Sequence, residues 1–487
     1  MRPPTVDRRP STSAALLLAL LAACARPPPP RPPVAVAASS VAPPVPVDPE
    51  RVLAFTLTRS LSDEVGPRLA GSPGDARAVA WALREMRRLG LTNVHAEPVT
   101  VPVWERGAES CEIVEPAARR LVATALGWSA PTPPGGITAE VIEVSSLEEG
   151  ARLTREAAGG KIVFYNIPMA PRRDGTDYGR VVPVRSRGPL LAEKAGAAAV
   201  LVRSVGTDHA RRAHTGSMGR DSARIPTAAI SVPDAESLHR LLRAGPVRVR
   251  LSLETRTRPD AESANVVGEV RGTRDAARIV VAGAHLDSWD LGTGSVDDGA
   301  GIGLVLAAAH TFTGTPAPRT LRVVLFAAEE NSGAGGKAYV KAHERELDRH
   351  VAAVEMDAGT GRVYEARVRG GAGALARFVG MKDALAALGV EVSTDPAGGG
   401  ADTGLLRAAG VPAIDLRQDA TLYFDVHHTA DDVPEALDPA ALDQATRALE
   451  VALRFAARDD VDLGRVPADP PGASGSPRGP LGSLAAR

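Results

Sequence analysis

The sequence predicts an α/β domain with a mixed sheet, interrupted by a β-rich insert, and three observations carry that prediction. Apolar, β-branched runs at 279–284, 321–327 and 351–356 read as buried strands. Each is followed by acidic residues and glycine, so three successive strands deliver acids to the same sheet edge. Between 111 and 253 the pattern changes to short strands at 161–165, 198–202 and 247–253, with helices at 190–195 and 235–243 and no cluster of metal-ligand types. The carboxyl edge of a parallel sheet is where binding sites are built.

The 487 residues suffice for two or three domains and a large core. A net charge of -1 and 3% aromatic residues offer no basic stripe for nucleic acid, so a small molecule or a peptide is the expected partner. The oligomeric state stays open, a homodimer included. Arg2, Arg8 and Arg9 precede an apolar run at 14–23 that is too short to span a bilayer and has the form of a secretory signal. It ends Leu21-Ala22-Ala23-Cys24, which resembles a bacterial lipobox. The expectation is export across the inner membrane and a lipid anchor on Cys24. The expected organisation is a signal peptide at 1–24 and a stiff proline-rich linker at 25–48. A main domain follows in two pieces, 49–110 and 259–460, with the insert at 111–258 and a disordered tail at 461–487. Cys111 reads as an inert core thiol.

In chain order, 76–89 has helical periodicity and Gly90 stops it, and 94–103 alternates as an edge strand that tolerates Pro98 and Pro102. His209 and His214 sit in a polar, arginine-bearing loop and read as solvated. The run 279–284 then delivers His285 and Asp287, a spacing that suits a metal ligand and the group that holds its imidazole. Asp297 and Asp298 precede a helix at 300–313. After 321–327 come Glu329 and Glu330, adjacent acids that are costly at the end of a buried strand unless a cation faces them. After 351–356 comes Asp357. An amphipathic helix is expected at 374–388, a glycine-rich loop with Asp402 at 396–404, and a strand at 411–416. His427 and His428 supply imidazole before a helix at 439–458. Asp402 and Tyr423 are candidate pocket residues.

Imidazole and carboxylate without thiolate make a mixed nitrogen and oxygen ligand set that suits zinc in an open catalytic site. Two such ions sharing a carboxylate would sit ~3.5–4 Å apart, and a carboxylate that is not a ligand would take the proton from an activated water.

The order H-x-D, D-D-G-A-G, A-E-E, an acid after a strand and H-T-x-x-D resembles the co-catalytic di-zinc peptidase family M28. Within that family a carboxypeptidase subgroup is similar through His285-Leu286-Asp287-Ser288-Trp289-Asp290, 296–299, 328–330, 427–428, 66–72 and 101–107. The resemblance implies a phosphorylase/hydrolase-like fold with an inserted protease-associated domain, around Ile225-Pro226-Thr227-Ala228-Ala229-Ile230, that overhangs the site. It implies two Zn2+ ions, with His285 and Asp357 on one, Glu330 and His428 on the other, and Asp297 bridging. Glu329 would be the general base, Asp287 would orient His285, and the Asp297–Asp298 bond would be cis. His428 rather than His427 fits the spacing to Asp432. The implied activity is hydrolysis of dipeptides or short peptides with a free amino terminus, with action on longer peptides the next reading. A glutaminyl cyclase or a non-catalytic binding module on the same fold is the alternative, against which the full ligand set argues.

Overall fold

Alternation along the strand Asp275–His285 sets the layering of the main domain. Val280, Ala282 and Ala284 enter one apolar core, which they share with the helices Leu53–Glu64, Ala300–Gly314 and Pro439–Ala456. Ile279 and Val281 enter another core on the opposite face, with Val324, Phe326, Tyr339 and Leu406. Successive side chains of a strand point to opposite faces, so a run apolar at every position must be covered on both. The helix Ala300–Gly314 is itself buried from Ala300 through Ala309, as expected of a helix apolar all round.

The structure, a computed structural model, describes residues 47–467. The leader, Cys24 and nearly all of the proline-rich linker lie outside the described residues, as do residues 468–487. The main sheet is mixed, as predicted. Its centre is parallel: Asp275–His285 lies between Arg319–Phe326 and His350–Glu355, and the last of these pairs with Ala413–Gln418. Antiparallel strands flank it, Arg256–Val270 on one side and Val363–Arg369 on the other. Thr92–Glu105 forms one edge, where its prolines are tolerated, and Glu391–Val392 the other.

The insert leaves and returns through one pair of residues. Glu105 and Arg256 face each other across the antiparallel strands Thr92–Glu105 and Arg256–Val270, so main-sheet pairing resumes before residue 259, where the second piece of the main domain was expected to begin. The second sheet has eight strands, with Arg119–Leu121 at one edge, Ala123–Ala125 at the other, and Glu109–Glu115 and Arg248–Leu253 paired antiparallel within it. Its strands Ile137–Val144, Ile162–Tyr165, Ala199–Arg203 and Thr227–Ile230 are parallel. Parallel neighbours need crossovers, and the helices Leu147–Ala151, Arg155–Ala158 and Pro183–Lys194 belong to them, so the insert is α/β rather than simply β-rich. Cys111 is buried in its core, and burial pushes its thiol well above the usual range.

Two expectations are corrected. The helix at 374–388 is broken into Ala374–Phe378 and Lys382–Ala386, with a 3₁₀ turn containing Gly380 between them, a residue that costs about 1 kcal/mol in a helix interior. Residues 461–467, expected in the disordered tail, pack on the domain. Val461, Leu463 and Val466 are buried, and the Gly371 amide donates to the Leu463 carbonyl. Proline and glycine content past this point masked three apolar residues placed at usable intervals. Among the described residues no helix is long and apolar enough to cross a membrane.

Candidate metal centre

The centre is assembled at the carboxyl ends of the three central strands. His285 closes its strand, and its amide donates to Asp298 Oδ2 at 3.1 Å. Arg68, wholly buried, holds the following loop by donating to the carbonyls of Leu286, Thr293 and Gly294 at 2.6, 2.7 and 2.9 Å. Asp432 accepts from the amides of Val296 and Asp297 at 2.6 and 3.3 Å and so fixes the backbone at Asp297. The Asp297–Asp298 peptide bond is cis. Asp287 takes the Glu329 and Glu330 amides on its two carboxylate oxygens, at 2.9 and 3.3 Å. That turn begins at Ala328, whose φ of 55 lies in the left-handed region and costs on the order of 1 kcal/mol for a residue with a side chain.

Asp297 stands at the middle. Its Oδ1 is 3.0 Å from His285 Nε2, and its Oδ2 is 3.2 Å from His428 Nε2 and 3.3 Å from His427 Nε2. Asp357 Oδ1 lies 3.8 Å from His285 Nε2, on the strand-end side shared with Asp298. Glu330 Oε2 is 3.1 Å from His428 Nε2. The structure therefore brings His285, Asp297, Glu330, Asp357 and His428 together, with Glu329 beside Glu330 on the same turn. The two neighbouring histidines differ. His428 faces Glu330 as well as Asp297, whereas His427 stacks on the His428 ring at 3.5 Å and leaves its buried Nδ1 without a partner among the described residues.

The hydrogen bonds give a test of whether these residues suit a cation. His285 Nδ1 lies 3.1 Å from the Asp287 carbonyl and His428 Nδ1 3.3 Å from the Thr215 carbonyl, so each of these nitrogens carries the proton. Asp287 also places its carboxylate 3.5 Å from His285 Nδ1. In the neutral ring each Nε2 then offers a lone pair to a carboxylate, a repulsive pairing that a cation between them converts into coordination. Glu330 Oε1 is also buried with no partner among the described residues. The electrostatics agree. Against the cost of burial, the carboxylates of Asp287 and Asp297 hold His285 well above the usual imidazole range. Burial and the carboxylates of Glu330, Asp287 and Asp297, against the pull of His285, push Glu329 up to about 8. Burial, with Asp298 and Asp297 as neighbours, raises Asp357 well above the carboxylate range. This donor set fits a divalent metal with nitrogen and oxygen preference, zinc among them.

Several residues fall elsewhere than the sequence suggested. Asp402, read as a candidate pocket residue, is 1% exposed, its amide donating to Glu355 and its Oδ1 accepting from the Gly336 amide at 3.0 Å. Tyr423 is buried against Gly359 and the His427 ring, beside the centre. His209 is exposed, with Nε2 3.0 Å from Glu236. His214, read as a solvated loop residue, is fully buried between Asp208 and the His427 carbonyl. Sequence reasoning missed Arg68 and also Arg185. The latter is a residue of the helix Pro183–Lys194, 2% exposed, with Nη1 3.2 Å from the Tyr178 hydroxyl and 3.4 Å from His428 Nδ1. Because His428 Nδ1 is itself a donor, the contact at 3.4 Å satisfies neither group. Arg185 Nε and Nη2 have no partner among the described residues. Gly216, with φ of 139, leaves room for this guanidinium, since a Cβ there would meet Nη1 at 2.2 Å.

The family model described as "Peptidase family M28" matches residues 265–453. Carboxypeptidase Q of Mus musculus is 36% identical over 410 residues, which cover 83% of this chain and 86% of that protein. A solved structure described as a peptidase M28 precursor from Shewanella amazonensis SB2B is 41% identical, with a TM-score of 0.84, over 86% of this chain and 96% of that one. A zinc aminopeptidase from Bacillus subtilis, 22% identical with a TM-score of 0.62 over 86% of this chain and 98% of that one, shares the fold.

Proposed function

Because the chain belongs to peptidase family M28 and acts as a zinc-dependent exopeptidase, we propose that it cleaves dipeptides and short peptides with a free amino terminus, at a pair of zinc ions. His285 and Asp357 would hold one ion and Glu330 and His428 the other, with Asp297 between them. The observation that carries this reading is the division of the Asp297 carboxylate, Oδ1 toward His285 at 3.0 Å and Oδ2 toward His428 at 3.2 Å. A carboxylate so divided suits two ions ~3.5–4 Å apart better than one. Bound zinc supplies an acidified water and a polarised carbonyl oxygen at neutral pH.

The remaining chemistry falls to side chains of this chain. Glu329 shares its turn with Glu330 yet is approached by no imidazole nitrogen within ion-pair distance among the described residues, which leaves its carboxylate free to take a proton and pass it to the leaving amine. Asp287 holds that turn by its two backbone amides. Arg185 supports the short-peptide substrate. A guanidinium that is 2% exposed and has two unpaired nitrogens is costly without an anion, and its planar fork matches a carboxylate. One residue of extended chain spans about 3.3–3.6 Å, so the free carboxylate of the residue after the scissile bond comes within reach of a group beside the His428 ring. We read the insert as a protease-associated-like roof. Trp128 donates to the Asn331 carbonyl at 3.2 Å, which brings the roof onto the Glu329 turn and limits substrate length. The leader ending at Cys24 supports export and lipid anchoring of the enzyme.

The test is hydrolysis of a panel of dipeptides, dipeptide amides and longer peptides by the purified protein, with zinc counted. Two zincs per chain and preference for dipeptides with a free carboxylate are expected. One zinc per chain removes the bridging role of Asp297, and preference for long peptides replaces the substrate with that of an aminopeptidase.

A further inference from the structure

The loop that carries His427 and His428 is tied to the main domain at its far end, where Asp432 accepts from the amides of Thr293, Val296 and Asp297, but its histidine stretch is bonded to the insert as well. Between Phe424 and Asp431 the insert meets it at five points between Thr207 and Thr215. The Thr207 amide donates to the Phe424 carbonyl at 3.1 Å, and the Thr207 hydroxyl donates to Asp425 Oδ1 at 2.7 Å. Arg212 pairs with Asp431. His214 Nδ1 lies 2.8 Å from the His427 carbonyl, and the Thr215 amide donates to the His428 carbonyl at 3.0 Å.

The last two contacts flank the histidine pair. His428 has φ of 62, in the left-handed region that a residue with a side chain rarely adopts, so its backbone needs outside support. Thr215 brackets it, donating its N–H to the His428 carbonyl and offering its own carbonyl to His428 Nδ1. This contact fixes which nitrogen of His428 carries the proton and aims Nε2 at Asp297 and Glu330. His214 fixes the preceding peptide. Its other nitrogen is 2.8 Å from Asp208 Oδ1, its amide is held by Ser204 Oγ at 2.9 Å, and Gly206 lies flat against the ring, where a Cβ would meet Cε1 at 2.3 Å. His214, Thr215 and Ser204 are fully buried, so water does not compete for these bonds.

We propose that the segment 204–215 of the insert is a clamp that sets the backbone of the His427–His428 loop, with Asp208, His214 and Thr215 as positioning residues for the zinc site formed by Asp297, Glu330 and His428. The proposal rests on the zinc-peptidase reading for its consequence but not for its geometry. It makes the insert a structural part of the metal centre as well as its roof.

The experiment compares the full-length wild type with His214→Ala and His214→Gln, and with Thr207→Val as a milder change at the other end of the clamp. Zinc is titrated against a competing chelator, and amide hydrogen exchange of residues 424–431 is followed in the metal-free proteins. In His214→Ala one zinc should stay at wild-type affinity while the other weakens about 10- to 100-fold, the usual size of an effect from a residue behind a ligand. Exchange at 424–431 should rise at least several-fold with the rest of the molecule unchanged. The amide of His214→Gln still donates to the His427 carbonyl, so this variant should recover most of both readouts. Should His214→Ala fail to fold, Thr207→Val should show the same pattern with smaller amplitude. Unchanged exchange at 424–431 overturns the clamp, as does an equal loss of both zincs with a general rise in exchange, which marks a merely structural residue. A wild type that binds no zinc overturns the zinc reading instead, and the exchange data still decide the clamp.

Discussion

The floor and the roof of the candidate site are built on opposite principles. The floor is the carboxyl edge of the main sheet, where His285, Glu329, Glu330 and Asp357 each follow a buried strand and arrive at the site through local geometry. The roof is the insert, whose Tyr178, Arg185, His214 and Thr215 come from helices and loops of a second sheet and reach the site only through tertiary packing. Most floor carboxylates are opposed by an imidazole or a backbone amide, as Asp297 by His285, Glu330 by His428 and Asp287 by the Glu329 amide, whereas the Glu329 carboxylate meets no imidazole within ion-pair distance among the described residues. Roof residues include a buried cation with no anion. The difference teaches that chemistry and selection can be separated and tested apart: on the proposed reading the sheet supplies the reaction, while the insert would select the substrate and hold the last histidine.

Chelation breaks the comparison most severely. Stripping zinc with a strong chelator should abolish hydrolysis, and stoichiometric zinc should restore it, whereas magnesium should not. The change Glu329→Gln comes next. It keeps every expected ligand and removes the proton carrier, so activity should fall by a factor on the order of 100 or more while zinc content holds. Loss of zinc together with activity would instead make Glu329 a ligand. A smaller and more selective effect is expected in the roof. Arg185→Ala should cut kcat/KM on dipeptides by about 10- to 100-fold, in line with the worth of hydrogen bonds to a charged group, and leave the corresponding dipeptide amides nearly unaffected. An equal fall on both substrates would show that Arg185 does not read the carboxylate.

The smallest effect concerns a residue that belongs to neither floor nor roof. Burial, with Glu355 as a neighbour, holds the Asp402 carboxyl well above its usual range. A carboxyl whose pKa is raised on folding stabilises the protein fully only below its unfolded value near pH 4, and that stability is lost as pH rises toward the folded value. Asp402→Asn should therefore raise Tm by about 2–4 °C at neutral pH, with the gap closing toward pH 4, and should leave KM unchanged. A shift in KM would return Asp402 to the pocket.

Legibility in the sequence follows the same division. The floor could be read because strand, acid and glycine occur together within a few residues, and three repetitions at 279–287, 321–330 and 351–357 are hard to produce by packing needs alone. The mixed sheet and the edge strand were legible for a related reason, since period and proline placement are local. Arg68 was not, because its three carbonyl partners lie more than two hundred residues away in sequence. Arg185 shares its stretch of chain with Arg180 and Arg187, and only tertiary placement separates the buried one from the two exposed ones. His214 looked solvated because its neighbours Arg211 and Arg212 are polar, yet those arginines pair with Asp234 and Asp431 and close over it.

The facing of Glu105 and Arg256 across one antiparallel pair has a consequence for the order of folding. An unfolded connection as long as the insert would make that pairing a distant and entropically slow event. Once the second sheet has formed, with Leu69, Trp104 and Trp289 of the main domain completing one of its cores, its two ends lie side by side and the pairing at the main sheet's edge becomes a local one. The histidine loop draws on both parts, because the His427 and His428 carbonyls are met from the insert while the His428 ring stands between Thr215 on one side and Asp297 and Glu330 on the other. The histidine loop thereby joins the two parts of the chain rather than belonging to either.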